Sequence, residues 1–220
     1  MSTIILTTLI ILSAGLHLKA QYLGPEFQVY IFNPLTMILI IGLAASAPKD
    51  DISKFKPTIL AGLVFSLGGD VLLMLPMDLF IPGLVSFLIA QVIYIFAFCQ
   101  GRKLQFRILP LIPFVVYGLV VFFYLAPGLG AMMIPVIAYI IVIMVMAWQA
   151  WEQWDTYRER WALLAFIGAV FFVLSDTFLA INKFGQSFEA ATALTLSTYT
   201  VAQWLIALSI RRRAVSVREQ

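Results

Sequence analysis

The chain has 220 residues, 62% hydrophobic and 11% charged, which is less than half the roughly 25% charge of a soluble domain. With a mean hydropathy of +1.00 it reads as a polytopic membrane protein, and with no stretch long and polar enough for a second, soluble unit, residues 1–220 are taken as one integral membrane domain. A net charge of +3 would point a soluble protein towards nucleic acid; here the basic residues fall in short loops, where they set topology, so no nucleic-acid partner is expected.

A spanning helix needs about 20 mostly apolar residues, and eight such stretches are predicted, at 3–21, 31–47, 57–76, 80–100, 107–126, 130–150, 161–181 and 189–210. The opening MSTIILTTLIIL lacks a basic n-region, so it reads as a retained helix and not as a cleaved signal. Breakers separate the spans at Gly24-Pro25, Pro48, Pro57, Pro76, Gly101, Pro127-Gly128 and Gly185. The second span is expected to begin at Asn33-Pro34, because proline fits a first helical turn, where its missing donor is not needed.

Charge orients this arrangement. Lys49, Lys54, Lys56, Arg102, Lys103, Arg107, Arg158, Arg160, Arg211, Arg212, Arg213 and Arg218 fall on one side, and only Lys19 and Lys183 on the other. The positive-inside rule then puts both termini in the cytoplasm, which suits an even number of spans and a multi-pass protein of a bacterial cytoplasmic (inner) membrane.

Within the third span, GLVFSLGGDVLLML carries a single ionisable residue, Asp70. A carboxylate at the centre of a spanning helix costs roughly 2.5–3.5 kcal/mol on insertion scales and marks a functional site by default. The seventh span carries a second one, Asp176 in GAVFFVLSDTFLAI, and Gly62, Val64, Phe65 and Asp70 align without gaps to Gly168, Val170, Phe171 and Asp176. The next helix of each half also matches, Ala90-Gln91 with Ala202-Gln203. This predicts a 4+4 internal repeat, halves 1–105 and 106–220, parallel because four is even, with a site at their interface. Both carboxylates are expected at similar depth in the outer half of the bilayer.

Other polar residues of the spans must find partners, because lipid supplies none. Ser66 shares a helix face with Asp70 at i,i+4, Gln91 and Tyr94 pair at i,i+3, and Tyr199 and Gln203 at i,i+4. Tyr139 lies in the sixth span and Ser175 beside Asp176, while His17, Asn33, Asn182 and Lys183 lie near outer helix ends. Together they predict a polar pocket open to the outer leaflet. One cysteine, Cys99, and one histidine, His17, exclude a disulfide, a cysteine-based metal site and a multi-histidine cage, so no metal or cofactor is expected. The residues alone leave four functions open: a hydrolase with paired acids, a proton-coupled transporter of a small molecule or lipid that uses the same two Asp, an intramembrane aspartyl protease suggested by Gly69-Asp70, and a non-enzymatic lipid-binding or scaffold protein.

Three blocks, FSLGGDVLLMLPMDLFIPGLVSFLIAQVIYIFAF, LSDTFLAINKF and STYTVAQWLI, resemble the YhhN-type family of membrane proteins, which includes the lysoplasmalogenases, and the similarity covers nearly the whole chain. The resemblance implies an eight-helix membrane hydrolase. It would cleave the vinyl ether bond of a lysophospholipid, giving a fatty aldehyde and glycerophospho-ethanolamine or -choline, with Asp70 and Asp176 as its paired aspartates. Family members often carry Lys before the proline of the second helix, where this chain has Asn33, and His where it has Gln91. The first change removes a cation from phosphate recognition, and the second removes a titratable group beside the carboxylates. The reaction needs a general acid and a negative charge near an oxocarbenium ion, which two carboxyls supply. Gln91, Tyr94, Tyr199 and Gln203 would orient the carboxyls or water, and Asn33, His17 and Lys183 would face the headgroup.

Overall fold

The computed structural model describes residues 3–48, 54–101 and 107–216. Among them are eight α-helices and no strand: α1 (Thr3–Leu23), α2 (Glu26–Ala45), α3 (Phe55–Met74), α4 (Phe80–Cys99), α5 (Ile108–Leu129), α6 (Met133–Tyr157), α7 (Arg160–Phe184) and α8 (Ala191–Ser216), with a 3-10 turn at Gly130–Met132. An all-helical outcome follows from the apolar composition, since a helix satisfies its own backbone donors and acceptors where no water can.

By length and apolarity seven helical stretches are fit to cross a membrane, not the eight expected, because residues 108–157 form a single stretch of 50 residues. At 1.5 Å per residue a straight helix of that size would extend about 75 Å, far beyond a hydrocarbon core. The stretch instead reverses at Gly130, whose φ of 47° and ψ of −124° suit only glycine. Gly118 of α5 then lies against Ile140 and Met144 of α6. The expected break at Pro127-Gly128 is therefore displaced: α5 continues through Pro127 to Leu129. Proline costs a helix one hydrogen bond, which a packed membrane helix tolerates.

The start of the second helix also differs. α2 begins at Glu26 behind Pro25, and Pro34 lies inside it. The apolar run FQVYIF carries the helix through, leaving the Tyr30 carbonyl without its usual donor.

Five helices close a ring: α3 packs on α4, α4 on α6, α6 on α7, α7 on α8, and α8 on α3. Around it, α2 lies on α3 and α8, α1 on α2 and α8, and α5 on α6 and α7. Phe87, Phe172 and Tyr199 meet edge-on inside the ring, with centroids 5.8 to 6.3 Å apart, and Tyr94 joins Phe172 at 6.4 Å. Such aromatic pairs add about 0.5–1.5 kcal/mol beyond area burial.

Most of the described cations gather at one end of the bundle; Lys19 of α1 and Lys183 of α7 lie at the other. Lys56 Nζ donates to the Ala45 and Ala47 carbonyls at 2.8 and 2.5 Å, satisfying the frayed end of α2. Arg211 donates to Ser46 Oγ at 2.8 Å, and Arg213 stacks 4.6 Å from both the Phe55 and Trp161 rings. Arg107 bridges Glu152 and Asp155, each at 2.7 Å, and Arg158 also pairs with Asp155. Lys49, Arg102, Lys103 and Arg218 lie outside the described residues.

Candidate functional site

Small residues set the distance between α3 and α4. A Cβ at Gly62 would overlap the Tyr94 ring, and one at Gly69 would come 2.6 Å from Phe87. Helices in lipid approach closely through such positions, and here the approach presses Asp70 against the ring interior. Asp70 is 8% exposed. Its Oδ2 accepts a hydrogen bond from the Tyr199 hydroxyl at 2.8 Å.

Asp176 is held from two other helices. The Tyr139 hydroxyl donates to its Oδ2 at 2.5 Å, and Gln91 Nε2 donates to the same oxygen at 3.2 Å. Tyr94 donates to Gln203 Oε1 at 2.9 Å beneath the pair. No described residue donates to the Oδ1 of either aspartate.

Both carboxyls line one cavity of about 530 Å³, walled by α1, α2, α3, α7 and α8 with Phe87 of α4. It lies at the end of the bundle opposite the cluster of cations, formed by the C-terminal ends of α1, α3 and α7 and the N-terminal ends of α2 and α8. Its wall includes His17, Asn33, Ser175, Asn182 and Tyr199, all singled out in the sequence. His17 is buried, and Asn33 Nδ2 points at Met74 Sδ, 3.9 Å away. Ser175 donates to the Thr195 carbonyl at 3.0 Å, which ties α7 to α8.

Other candidates stand elsewhere. Gln91, Tyr94, Ser66 and Gln203 are fully buried outside the cavity wall; Gln91 touches it through Asp176, while Tyr94 and Gln203 bond to one another. Ser66 makes no hydrogen bond to Asp70. Tyr139 reaches Asp176 from a different, apolar cavity. Lys183 lies 4.9 Å over the Phe80 ring and is not part of the polar cavity wall. Among the described lining residues that wall holds three acids, Glu26, Asp70 and Asp176, and no lysine or arginine.

Gln21, Glu26, Tyr30, Thr192 and Thr195 are further polar residues of the wall, none of them singled out in the sequence. Glu26, Val29, Tyr30 and Asn33 follow an i, i+3, i+4, i+7 pattern, which is one helix face. That face becomes visible only when α2 is allowed to start before Pro34.

A family model described as the YhhN family matches residues 28–210. The chain is 31% identical over 200 residues to the uncharacterized membrane protein YhhN of Escherichia coli O157:H7, covering 90% of this chain and 95% of that one. It is 36% identical over 166 residues to the lysoplasmalogenase TMEM86A of Bos taurus, 73% of this chain and 66% of that one. Against the lysoplasmalogenase TMEM86B of Homo sapiens it is 34% identical over 163 residues, 70% of this chain and 63% of that one. No solved structure matches.

Proposed function

We infer that this chain, which belongs to the YhhN family and is a multi-pass integral membrane protein, is a hydrolase that cleaves the vinyl ether bond of lysoplasmalogens. The products are a fatty aldehyde and glycerophospho-ethanolamine or -choline. The observation that carries this reading is the pair Asp70 and Asp176 on one cavity wall, each with a tyrosine on one oxygen and, among the described residues, no donor on the other. The names of the relatives from Bos taurus and Homo sapiens supply the reaction class.

The chemistry runs in three steps. A carboxylic acid gives its proton to the distal vinyl carbon, and the C=C electron pair forms the new C–H bond. The resulting oxocarbenium ion is captured by water, which loses a proton to a carboxylate. The hemiacetal then collapses, its C–O bond breaking with transfer of a proton to the glycerol oxygen. Protons balance over the cycle, and two carboxyls suffice for every transfer. Hydrogen bonds favour the charged form of an acceptor. Asp176, with two donors on Oδ2, is assigned the anion that steadies the oxocarbenium ion, and Asp70, with one, the acid. Glu26 at the cavity wall is assigned to the ammonium of the headgroup, and His17, Asn33 and Asn182 to its phosphate.

The same reading takes residues 1–220 as one membrane domain whose eight helices all cross, with both termini in the cytoplasm and the cavity facing the outer leaflet. The excess of described cations at the opposite end, against Lys19 and Lys183 at this one, supports that orientation. A repeat of 1–105 in 106–220 is supported by contacts: Gly62 meets Tyr94 as Gly168 meets Ile206, at the same offsets that match Asp70 to Asp176 and Gln91 to Gln203.

Asp70→Asn and Asp176→Asn are each expected to abolish aldehyde release from a lysoplasmalogen while the protein inserts and folds as the parent does. Parent-like turnover by either variant refutes the assignment.

A further inference from the structure

The end of the bundle remote from the carboxyls has a cavity of its own. It is an open cleft of about 830 Å³ between the start of α1, the start of α7 and the last turns of α8, with Pro48 at its rim. Among the described residues α1 packs on α8 but not on α7, so α8 forms the floor and the gap between α1 and α7 opens sideways towards lipid. Trp204 of α8 lies in that floor and donates from Nε1 to Thr7 Oγ1 of α1 at 3.3 Å.

Helical spacing grades the cleft from charge to hydrocarbon. On α7, Arg160 begins the helix, and Leu163 and Leu164 follow one turn deeper at i+3 and i+4. On α8 the order is reversed: Leu208 precedes Arg211 and Arg212 by one turn, and Trp204 precedes Leu208 by another. The mouth therefore carries three guanidinium groups, and about 5.4 Å further in, one helical turn, the wall is leucine and then tryptophan. The described lining residues include no acid, the reverse of the polar chamber, whose described wall holds three acids and no lysine or arginine. Arg211 uses one donor on Ser46 Oγ, and no described acid pairs with Arg160, Arg211 or Arg212. Arg107 and Arg158, at the same end, are instead matched by Glu152 and Asp155.

We propose that this cleft seats one anionic glycerophospholipid of the leaflet at that end, its phosphate against Arg160 and Arg212 and the start of its chains against Leu163, Leu164 and Leu208. Guanidinium forks match phosphate oxygens two at a time. A zwitterionic head fits less well, because its ammonium would meet arginines with no acid to receive it. A free anion fits less well too, because it leaves the leucine depth bare, whereas acyl chains entering between α1 and α7 cover it. Basic pockets between spanning helices hold anionic lipid heads in this way. The seat uses neither Asp70 nor Asp176 and does not depend on the hydrolase reading.

Binding without turnover tests it. Purified protein in a neutral detergent is titrated with dioleoyl phosphatidylglycerol and with dioleoyl phosphatidylcholine, and bound lipid is counted by native mass spectrometry. The parent protein is expected to hold one phosphatidylglycerol roughly tenfold more tightly than phosphatidylcholine, and inorganic phosphate at constant ionic strength is expected not to displace it. Arg160→Gln and Arg212→Gln should each weaken phosphatidylglycerol binding by about fivefold, the share of one basic residue at a lipid surface, and leave phosphatidylcholine binding little changed. Arg158→Gln, which removes a charge already paired with Asp155, should change neither. Leu164→Trp narrows the cleft without altering charge, so it should also weaken phosphatidylglycerol binding, and it carries the test if the arginine variants do not insert. A loss in Arg158→Gln equal to that in Arg160→Gln means attraction to surface charge in general and overturns the seat. Phosphatidylcholine bound as tightly as phosphatidylglycerol, displacement by inorganic phosphate, or unchanged binding in Leu164→Trp or in both arginine variants overturns it as well.

Discussion

Tyr139 and Tyr199 hold the two carboxyls in unequal ways. Asp70 receives Tyr199 alone, whereas Asp176 receives both Tyr139 and Gln91. Loss of a hydrogen bond to a charged group costs about 1.5–3 kcal/mol, or roughly ten- to a hundredfold in rate. Tyr199→Phe is therefore expected to lower kcat more than Tyr139→Phe, because Gln91 still holds Asp176 in the second variant. Both should leave KM nearly unchanged, and steady-state kinetics with one lysoplasmalogen checks both statements. Much of this shell is legible in the sequence. Asp70, Asp176, Gln91, Tyr139 and Tyr199 are polar groups that a spanning helix does not carry without a partner. Which tyrosine meets which aspartate is not legible, since it depends on the rotation of four helices about their axes. Glu26 and Thr192 are not legible either, because each lies at a helix end where a polar residue has an ordinary reason to be.

At the scale of the element, close approach of α3 and α4 depends on Gly62. Any side chain there meets the Tyr94 ring, whereas a Cβ at Gly15 of α1 meets nothing within 4 Å. Forcing atoms into a packed site costs about 1–3 kcal/mol. Gly62→Ala is thus expected to lower the Tm of the purified protein clearly, and Gly15→Ala to leave it within error. Equal shifts would contradict the packing described for α3 and α4. Helix existence and order follow from hydropathy alone, but two boundaries do not. Pro34 looks like a first-turn residue, yet the apolar FQVYIF before it is helical and carries part of the cavity wall. Pro127-Gly128 looks like the strongest break in the fifth stretch, yet the reversal waits for Gly130, the position that takes positive φ. In both places a proline is tolerated inside a helix whose neighbours pack against it.

For the whole molecule, the ring α3–α4–α6–α7–α8 explains why two carboxyls far apart in sequence line one cavity. Among the described residues α3 and α7 do not pack on one another; α8 lies between them on one side, and α4 with α6 on the other. The aspartates face one cavity, each held by side chains from these intervening helices. The aromatic cluster of Phe87, Phe172, Tyr94 and Tyr199 fills that interior. The central claim is that this pair protonates a vinyl carbon. Its most direct test is brief incubation of the purified protein with a lysoplasmalogen in deuterium oxide, with the released aldehyde read by mass spectrometry. A single deuterium on the carbon next to the aldehyde, absent with Asp70→Asn and Asp176→Asn, is the predicted result. Intact lipid, or lipid moved across a vesicle membrane with no aldehyde formed, would contradict it.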